Sequence, residues 1–252
     1  MTFYELYKNL SKLYPEELRC DWDNDGIMCA QSLDAKVKRV LLALDVTLDT
    51  VEYAINNSFD TIISHHPLVF RSQKALSPLN YTQNKLIELI KNNINVMSFH
   101  TRLDAANGGV NDSLASIIGL NNVTVDPIDP IGRIGFLKDK ISLSTFSENV
   151  KKQLNSPFVL YSGENDVYKV YVVGGDGKDL IDNAIVAGCD TILTGRASYN
   201  TAIDASDMCI NIVEAGHFYT EHHVCAVLEE EICSLIPDIY TEIFISNRIK
   251  TI

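Results

Sequence analysis

The chain has 252 residues, of which 46% are hydrophobic, a composition typical of a globular protein with one large domain or two small ones. Its formal net charge of −12 opposes binding to nucleic-acid phosphates, and no long basic run offsets that charge. No apolar run approaches the roughly 18 residues that cross a bilayer, and the first residues lack the apolar stretch of a signal peptide, so we expect a cytoplasmic protein without a membrane partner.

The first third of the chain predicts a helix, a loop and then a β-α-β unit. The apolar period of residues 3–14 predicts the helix, and the Asp, Asn and Gly residues of 15–28 predict the loop. A strand is predicted at 38–46, a helix at 48–58 and a second strand at 60–66. A unit of this kind is typical of a parallel sheet.

The same order of elements recurs later, with a strand at 168–175, a helix at 178–188 and a strand at 190–195. A shift of 130 positions aligns Asp60-Thr61-Ile62 with Asp190-Thr191-Ile192 and needs no gap. We therefore predict an internal duplication. In open parallel sheets the functional sites collect at the carboxyl ends of the strands, so we expect the site residues there.

A second repeated pattern supports the two halves. Residues 94–104 and 210–221 each combine Ile-Asn, an apolar strand and a His-x-x-x-acid sequence. The segment 123–137 is rich in Asp, Pro and Gly and is predicted to connect the halves, while the strand predicted at 239–245 returns to the sheet of the first half. The predicted α/β domains are residues 1–124 plus 239–252, and residues 125–238.

All six histidines fall in three short stretches at predicted strand ends. The strand at 60–66 ends in the adjacent residues His65 and His66. Successive side chains of a strand point to opposite faces, but Pro67 ends the strand here, so both imidazoles can contribute to the same site. In the other two stretches, His100 precedes Asp104 and His217 precedes Glu221 by four residues. On a helix, that spacing puts both side chains on one face.

Imidazole and carboxylate ligands suit Zn, Fe, Mn, Co or Ni, and there are enough of them for two divalent ions. The sequence therefore predicts a metal site. The role of His100 stays open between a metal ligand and an acid–base group beside Asp104. His222 and His223 follow Glu221 and are expected on the surface or behind the ligands.

Three other features of the sequence are predicted to have structural rather than functional roles. Ser64 precedes the adjacent histidines but lacks a G-x-S-x-G elbow, so it is predicted to be a strand residue. The glycines of 171–180 lack the spacing of a phosphate-binding loop and predict a strand-to-helix turn. The six cysteines form no C-x-x-C pair, and we expect buried, reduced thiols.

Five segments together resemble the Nif-three-like family of dinuclear metal-centre proteins, whose members are commonly named GTP cyclohydrolase 1 type 2 homologues. They occur in the family's order across nearly the whole chain. These segments are 22-WDNDGIM-28, 64-SHHPLVF-70, 99-FHTRLDAANGGVND-112, 194-TG-195 and 215-AGHFYTE-221.

The resemblance implies two similar, interlaced α/β domains with two metal ions in a cleft between them, and a homohexamer. It also implies that His65 and His66 bind different ions, that Asp104 and His217 bind one each, and that Glu221 bridges the two. His100 matches a family histidine beside the site. In this sequence, Arg196 and Asn200 occupy a region where many relatives have an acidic residue and further histidines, which bears on the substrate pocket more than on the metal site.

These observations predict a metal-dependent hydrolase in which Glu221 holds both ions and His100 transfers a proton. The resemblance implies that its small-molecule substrate is a nucleotide, GTP, whose imidazole ring is opened with release of formate. Arg196 is expected to meet an anionic substrate group. The alternatives are a non-catalytic metal-binding or metal-handling hexamer that acts through protein partners, and a different metallohydrolase that acts on a phosphoester or a cyclic amide.

Overall fold

The computed structural model of the protein describes residues 1–252, which form ten α-helices and eleven strands. The helices are α1 (Phe3–Leu13), α2 (Leu48–Asn56), α3 (Tyr81–Lys91), α4 (Thr101–Ala105), α5 (Val110–Ile117), α6 (Leu143–Gln153), α7 (Ile181–Val186), α8 (Tyr199–Asp207), α9 (His217–Glu221) and α10 (Val224–Leu235). The strands are β1 (Gly26–Cys29), β2 (Arg39–Ala43), β3 (Thr61–Ser64), β4 (Asn95–Ser98), β5 (Asn121–Val125), β6 (Arg133–Ile141), β7 (Leu160–Ser162), β8 (Val167–Asp176), β9 (Thr191–Arg196), β10 (Asn211–Glu214) and β11 (Tyr240–Phe244). None of the helices combines the length and the apolar character needed to cross a membrane.

The chain divides into two compact α/β units, each with its own sheet. The first unit is Met1–Leu103 with Val224–Arg248, and the second is Asp104–His223 with Ile249–Ile252. The predicted domains, 1–124 plus 239–252 and 125–238, have different boundaries from these two units. The difference arises because β5 pairs within the second sheet, whereas α10 packs against β2 and β11 of the first.

The first unit has a five-stranded sheet of order β1-β4-β3-β2-β11. Strands β4, β3, β2 and β11 are parallel, and β1 is antiparallel to β4. The predicted return of the last strand is confirmed, because Tyr240 of β11 pairs with Arg39 of β2. Leu41, Ile62 and Val96 are cross-strand neighbours on one buried face, which packs against α2 and α3.

The second unit has a six-stranded sheet of order β5-β6-β8-β9-β10-β7. Its central strands β8, β9 and β10 are parallel, as predicted, and the outer strands are antiparallel. Successive residues of β8 point to opposite faces, so that Val172 packs in one core with α5 and α6 while Tyr171 packs in another with α7 and α8. Both faces of this sheet are therefore buried.

The two β-α-β units share their strand register. Val40 pairs with Thr61 in the first unit, and Val170 pairs with Thr191 in the second, which is again a shift of 130 positions. A hydrogen-bonding pattern is also shared. In both units, the aspartate just before the second strand accepts hydrogen bonds from backbone amides at the start of the first strand. Asp60 accepts from the backbone of Lys38 and Arg39, and Asp190 accepts from the backbone of Tyr168 and Lys169. This agreement is what a duplication produces; the duplication itself stays a prediction.

We expect Asp60→Ala and Asp190→Ala each to lower the free energy of unfolding by about 1–3 kcal/mol, because two backbone amides lose their charged acceptor. Chemical denaturation of both variants measures this loss. Asp204, which is exposed on α8, supplies the control variant Asp204→Ala. Losses no larger than that of the control would show that the shared carboxylate does not stabilise either unit.

The structure corrects three local predictions. The predicted loop 15–28 contains a short 3₁₀ helix, Glu16–Leu18, and the start of β1, because Gly26 and Ile27 pair with β4. The segment 123–137 forms the β5-β6 hairpin rather than a linker; its Asp and Gly residues make a turn in which the Asp126 carboxylate accepts the amide of Ile128. The cysteines form no disulfide, but only three are buried, and Cys209 is exposed.

Candidate metal centre

Three histidines of the first unit lie together at the carboxyl ends of neighbouring strands. Strand β3 ends at Ser64, so His65 and His66 follow directly, and His100 lies two residues beyond the end of β4. Strands β3 and β4 are parallel neighbours, which brings their ends to the same edge of the sheet. One ligand nitrogen from each imidazole lies within 4.8 Å of the others. We call these three residues the histidine cluster.

Each imidazole of the histidine cluster is oriented through Nδ1. The acceptors are the Phe99 carbonyl oxygen at 2.9 Å for His65, the Asp45 carboxylate at 2.8 Å for His66 and the Asp23 carboxylate at 2.7 Å for His100. A neutral imidazole that donates from Nδ1 carries its lone pair on Nε2, where a metal ion binds. This second layer of acceptors is what metal-binding histidines require.

The carboxylate that orients His100 is itself held in place. Oδ2 of Asp23 accepts the backbone amide of Thr101 at 3.1 Å and its hydroxyl at 2.7 Å. Burial opposes the ionisation of Asp23, but hydrogen bonds from His100 and Thr101 prevail and lower its pKa to about 2. Nearby, Asp25 accepts the His100 backbone amide at 3.1 Å and binds the buried guanidinium of Arg102 at 2.9 Å.

The second unit contributes a histidine and a carboxylate on α9. As the i,i+4 spacing predicts, they share a face: His217 Nε2 lies 2.9 Å from Glu221 Oε2. Helix α9 begins after Gly216, which has a φ of +88° and so allows the sharp entry to the helix. Glu221 is buried and His217 is partly exposed.

Two glycines at the ends of β8 and β9 make room for α9. A Cβ atom on Gly175, whose φ is +65°, would lie 2.2 Å from Glu221 Oε1. A Cβ on Gly195 would lie 2.5 Å from Thr220 Oγ1 and 2.8 Å from His217 Cα. The Thr220 hydroxyl accepts the Gly175 amide at 3.1 Å, so the helix is fixed to the strand end. The close packing of α9 against the backbone at Gly175 and Gly195 thus positions the His217–Glu221 pair.

The remaining predicted ligand, Asp104, is buried on α4. Asn111 donates to its backbone carbonyl at 3.2 Å and accepts the Gly174 amide at 2.7 Å, which ties Asp104 to the end of β8. The other histidines have different roles. His222 stacks on Phe218 with ring centroids 4.5 Å apart, while burial lowers the pKa of His223 to about 4 despite its hydrogen bond to the Thr220 carbonyl.

The two residues that depart from the family pattern lie at and just after the end of β9, in the second unit. Arg196 is the last residue of β9 and is exposed, and Asn200 is exposed on α8. Under the 130-position shift, Gly195 and Arg196 occupy the places of His65 and His66. The second unit therefore presents a guanidinium where the first presents an imidazole.

The sequence reasoning missed Asp45 and Asp23 as the groups that orient His66 and His100. Asp45 follows the end of β2, which neighbours β3 in the sheet. A carboxylate at the carboxyl end of the strand next to a histidine pair is the signal that could have identified it. Asp23 lies in 22-WDNDGIM-28, where no periodic element predicts its position.

We expect Asp45→Ala to lower the affinity for Zn²⁺ by about 10- to 100-fold, because His66 loses the acceptor that fixes its orientation and tautomer. Competition against a chromogenic chelator measures the change. The matched control is Asp49→Ala, which removes a carboxylate that pairs with Arg248 instead. Equal affinities in the two variants would contradict the role given to Asp45.

Comparisons with known proteins find relatives over the whole chain. The family model described as Duf34/NIF3 (NGG1p interacting factor 3) matches residues 1–251. A Clostridium acetobutylicum protein named GTP cyclohydrolase 1 type 2 homolog is 33% identical over 228 residues, covering 86% of this chain and 84% of that protein. A Clostridium perfringens protein of the same name is 31% identical over 258 residues, covering 99% of this chain and 98% of that protein.

Solved structures share the fold along its full length. A Bacillus cereus protein related to NIF3 superposes with a TM-score of 0.90 at 23% identity, covering 100% of this chain and 99% of that one. The Staphylococcus aureus protein SA1388 gives a TM-score of 0.90 at 25% identity, with the same coverage. The predicted α/β class with two sheets is therefore confirmed.

Proposed function

Because the chain belongs to the Duf34/NIF3 family, we propose that it binds two divalent metal ions and is a metal-dependent hydrolase. The observation that carries the proposal is the histidine cluster, in which each imidazole donates from Nδ1. In this tautomer the lone pair is on Nε2, which in His65 and His66 suits a metal ion and in His100 suits a proton. The proposed ligands are His65, His66, Asp104, His217 and Glu221, with His100 beside them.

The donor set fits a borderline divalent cation. Imidazole nitrogens and carboxylate oxygens suit Zn, Fe, Mn, Co or Ni, and no thiolate is among the ligands. The oriented rings of His65 and His66 offer nitrogen ligands from the first unit, and Asp104 and Glu221 would supply negative charge to balance the cations. A carboxylate such as Glu221 can bridge two ions, which supports a count of two per chain.

In the proposed mechanism, bound metal ions supply a water whose pKa is lowered toward about 7. His100 is the group that moves a proton. Its Nδ1 stays bonded to the Asp23 carboxylate, so Nε2 can accept a proton from a nucleophile and return it to a leaving group. The low pKa of Asp23 means that this carboxylate stays ionised and stabilises the imidazolium that forms.

The proposed substrate is a nucleotide. The Clostridium relatives carry the name GTP cyclohydrolase 1 type 2 homolog. In a reaction of that kind, one water added at C8 of guanine would open the imidazole ring to a formamide, and a second water would cleave the formamide to release formate; the metal ions that these residues would hold could activate the water. Exposed Arg196, at the end of β9, is proposed to meet an anionic group of the substrate.

The test is a turnover assay on metal-loaded protein and on the same protein after chelation. We expect formate release from GTP that disappears on chelation and returns when metal is restored. A parallel panel of phosphoesters and cyclic amides tests for another metallohydrolase activity. Lack of turnover of every panel member by fully metal-loaded protein would overturn the hydrolase proposal.

The second candidate function is a non-catalytic metal-binding hexamer that acts through protein partners. The partly exposed side chain of His217 favours it, since an exposed ligand permits exchange of an ion with a partner. Such a protein would release its ions readily to a competing chelator and would turn over nothing. The hexamer itself stays a prediction, which mass photometry of the purified protein tests.

A further inference from the structure

The first unit has a cavity of about 580 Å³ next to the histidine cluster. Its wall begins at Pro67, the residue after His66, and continues through Phe70 and Arg71. The first turns of α3 close it with Tyr81 and Lys85. A volume of this size is typical of small-molecule sites, which range over roughly 300–1,000 Å³. We call it the cationic cavity.

The charge of this cavity is opposite to that of the protein. Arg71 and Lys85 line it and no Asp or Glu does, although the chain has 33 acidic and 21 basic residues. Lys85 is held in place by donating to the Val46 carbonyl oxygen at 2.6 Å, and Arg71 is exposed and pairs with no carboxylate. The nearby carboxylate of Asp45 attracts Lys85 but already accepts from His66. Two cations are thus available to an anion.

An aromatic pair, Trp22 and Phe70, stands between the cavity and the histidine cluster. Trp22 is 63% exposed, and its ring meets Phe70 at 6.2 Å and His100 at 6.1 Å between centroids. Both contacts are edge-on, at 62° and 77°, so neither of these rings stacks on the indole face. An exposed indole that is fixed at its edges offers a platform for a planar ring.

We propose that the aromatic pair and the cationic cavity form the substrate subsite and that they bind a nucleoside phosphate. The base stacks on Trp22, which places it beside His100, and the phosphate binds Arg71 and Lys85. This inference rests on the proposed hydrolase for the reaction, but the binding it describes does not require turnover.

The experiment is titration of metal-loaded protein with GMP, followed by quenching of the fluorescence of Trp22, the one tryptophan in the chain. We expect saturable quenching by GMP, and binding at least about tenfold weaker for guanosine, which lacks the phosphate, and for ribose 5-phosphate, which lacks the base. Arg71→Gln and Lys85→Gln should each weaken GMP binding about tenfold.

Calorimetry extends the test to Trp22→Leu, which should weaken GMP binding about tenfold, whereas Trp22→Phe should recover part of the loss. Lys140→Gln, an exposed site on β6 with the same change in charge, is the control and should bind as the wild type does. Metal content and oligomeric state should be unchanged in every variant.

The subsite is overturned if Arg71→Gln, Lys85→Gln and Trp22→Leu all bind GMP within twofold of wild type. It is also overturned if the variants change the oligomeric state instead, which would make the aromatic pair a subunit interface. These failures leave metal-dependent turnover untouched. Conversely, lost GMP binding in the variants with no turnover by the wild type would support the subsite and reject the hydrolase.

Discussion

Glu221→Gln is expected to lower metal-dependent turnover on the order of 10³-fold, a loss of about 4 kcal/mol of transition-state stabilisation, because the carboxylate that is proposed to position both ions is lost. The substitution keeps the size of the side chain, so the tight packing against Gly175 is preserved. It removes the negative charge that lies 2.9 Å from His217 Nε2 and that is proposed to hold both ions. The measurement is initial-rate turnover on folded, metal-saturated protein.

The matched control for this variant is Glu230→Gln, which makes the same change at an exposed position of α10. Its turnover should equal that of the wild type. Undiminished activity in a folded Glu221→Gln variant would remove the proposed mechanism, whatever the substrate.

The double variant His65→Ala, His66→Ala is expected to lose the stabilisation that metal gives to the wild type. A ligand at 100 times its dissociation constant stabilises the native state by about 2.7 kcal/mol. We therefore expect Zn²⁺ to raise the melting temperature of the wild type by several degrees and to leave the double variant unchanged.

The control for this experiment is His222→Ala, because His222 stacks on Phe218 and belongs to none of the potential ligand groups. Its response to Zn²⁺ should match that of the wild type. An equal Zn²⁺ response in the double variant would show that the ion binds elsewhere. Comparing both proteins without metal separates any loss of intrinsic stability, since His65 is buried and donates to the Phe99 carbonyl oxygen.

The central parts of both sheets could be predicted from the sequence because their signals are local. The strands at 38–46 and 60–66 and the helix at 48–58 were identified by apolar patterns, and the structure places β2, β3 and α2 within them. The antiparallel strands β5 and β6 were missed for a physical reason, whereas the edge strand β11 was predicted. Strand β5 has mostly exposed residues, so it lacks the apolar pattern of a buried strand. The turn that connects it to β6 is rich in Asp and Gly, a composition that is also typical of a linker.

The sequence predicts which residue types cluster at the candidate site, but it could not predict how the histidine side chains are oriented there. Clustering of histidines at strand ends is visible in the sequence, and the histidine cluster forms where that pattern indicates. The acceptors that fix its tautomers, Asp45 and Asp23, lie 21 and 77 positions from their histidines. Only the fold brings such distant residues within hydrogen-bond distance, as it also does for the Phe99 carbonyl and His65.

The most direct test of metal binding is elemental analysis of the protein after dialysis against a slight excess of Zn²⁺ and then against metal-free buffer. The account predicts that close to two ions remain bound per chain, and that Asp45→Ala retains fewer under the same treatment. A wild-type protein that keeps no divalent ion would contradict the account, because His65 and His66, the proposed ligands of the histidine cluster, would then hold no ion.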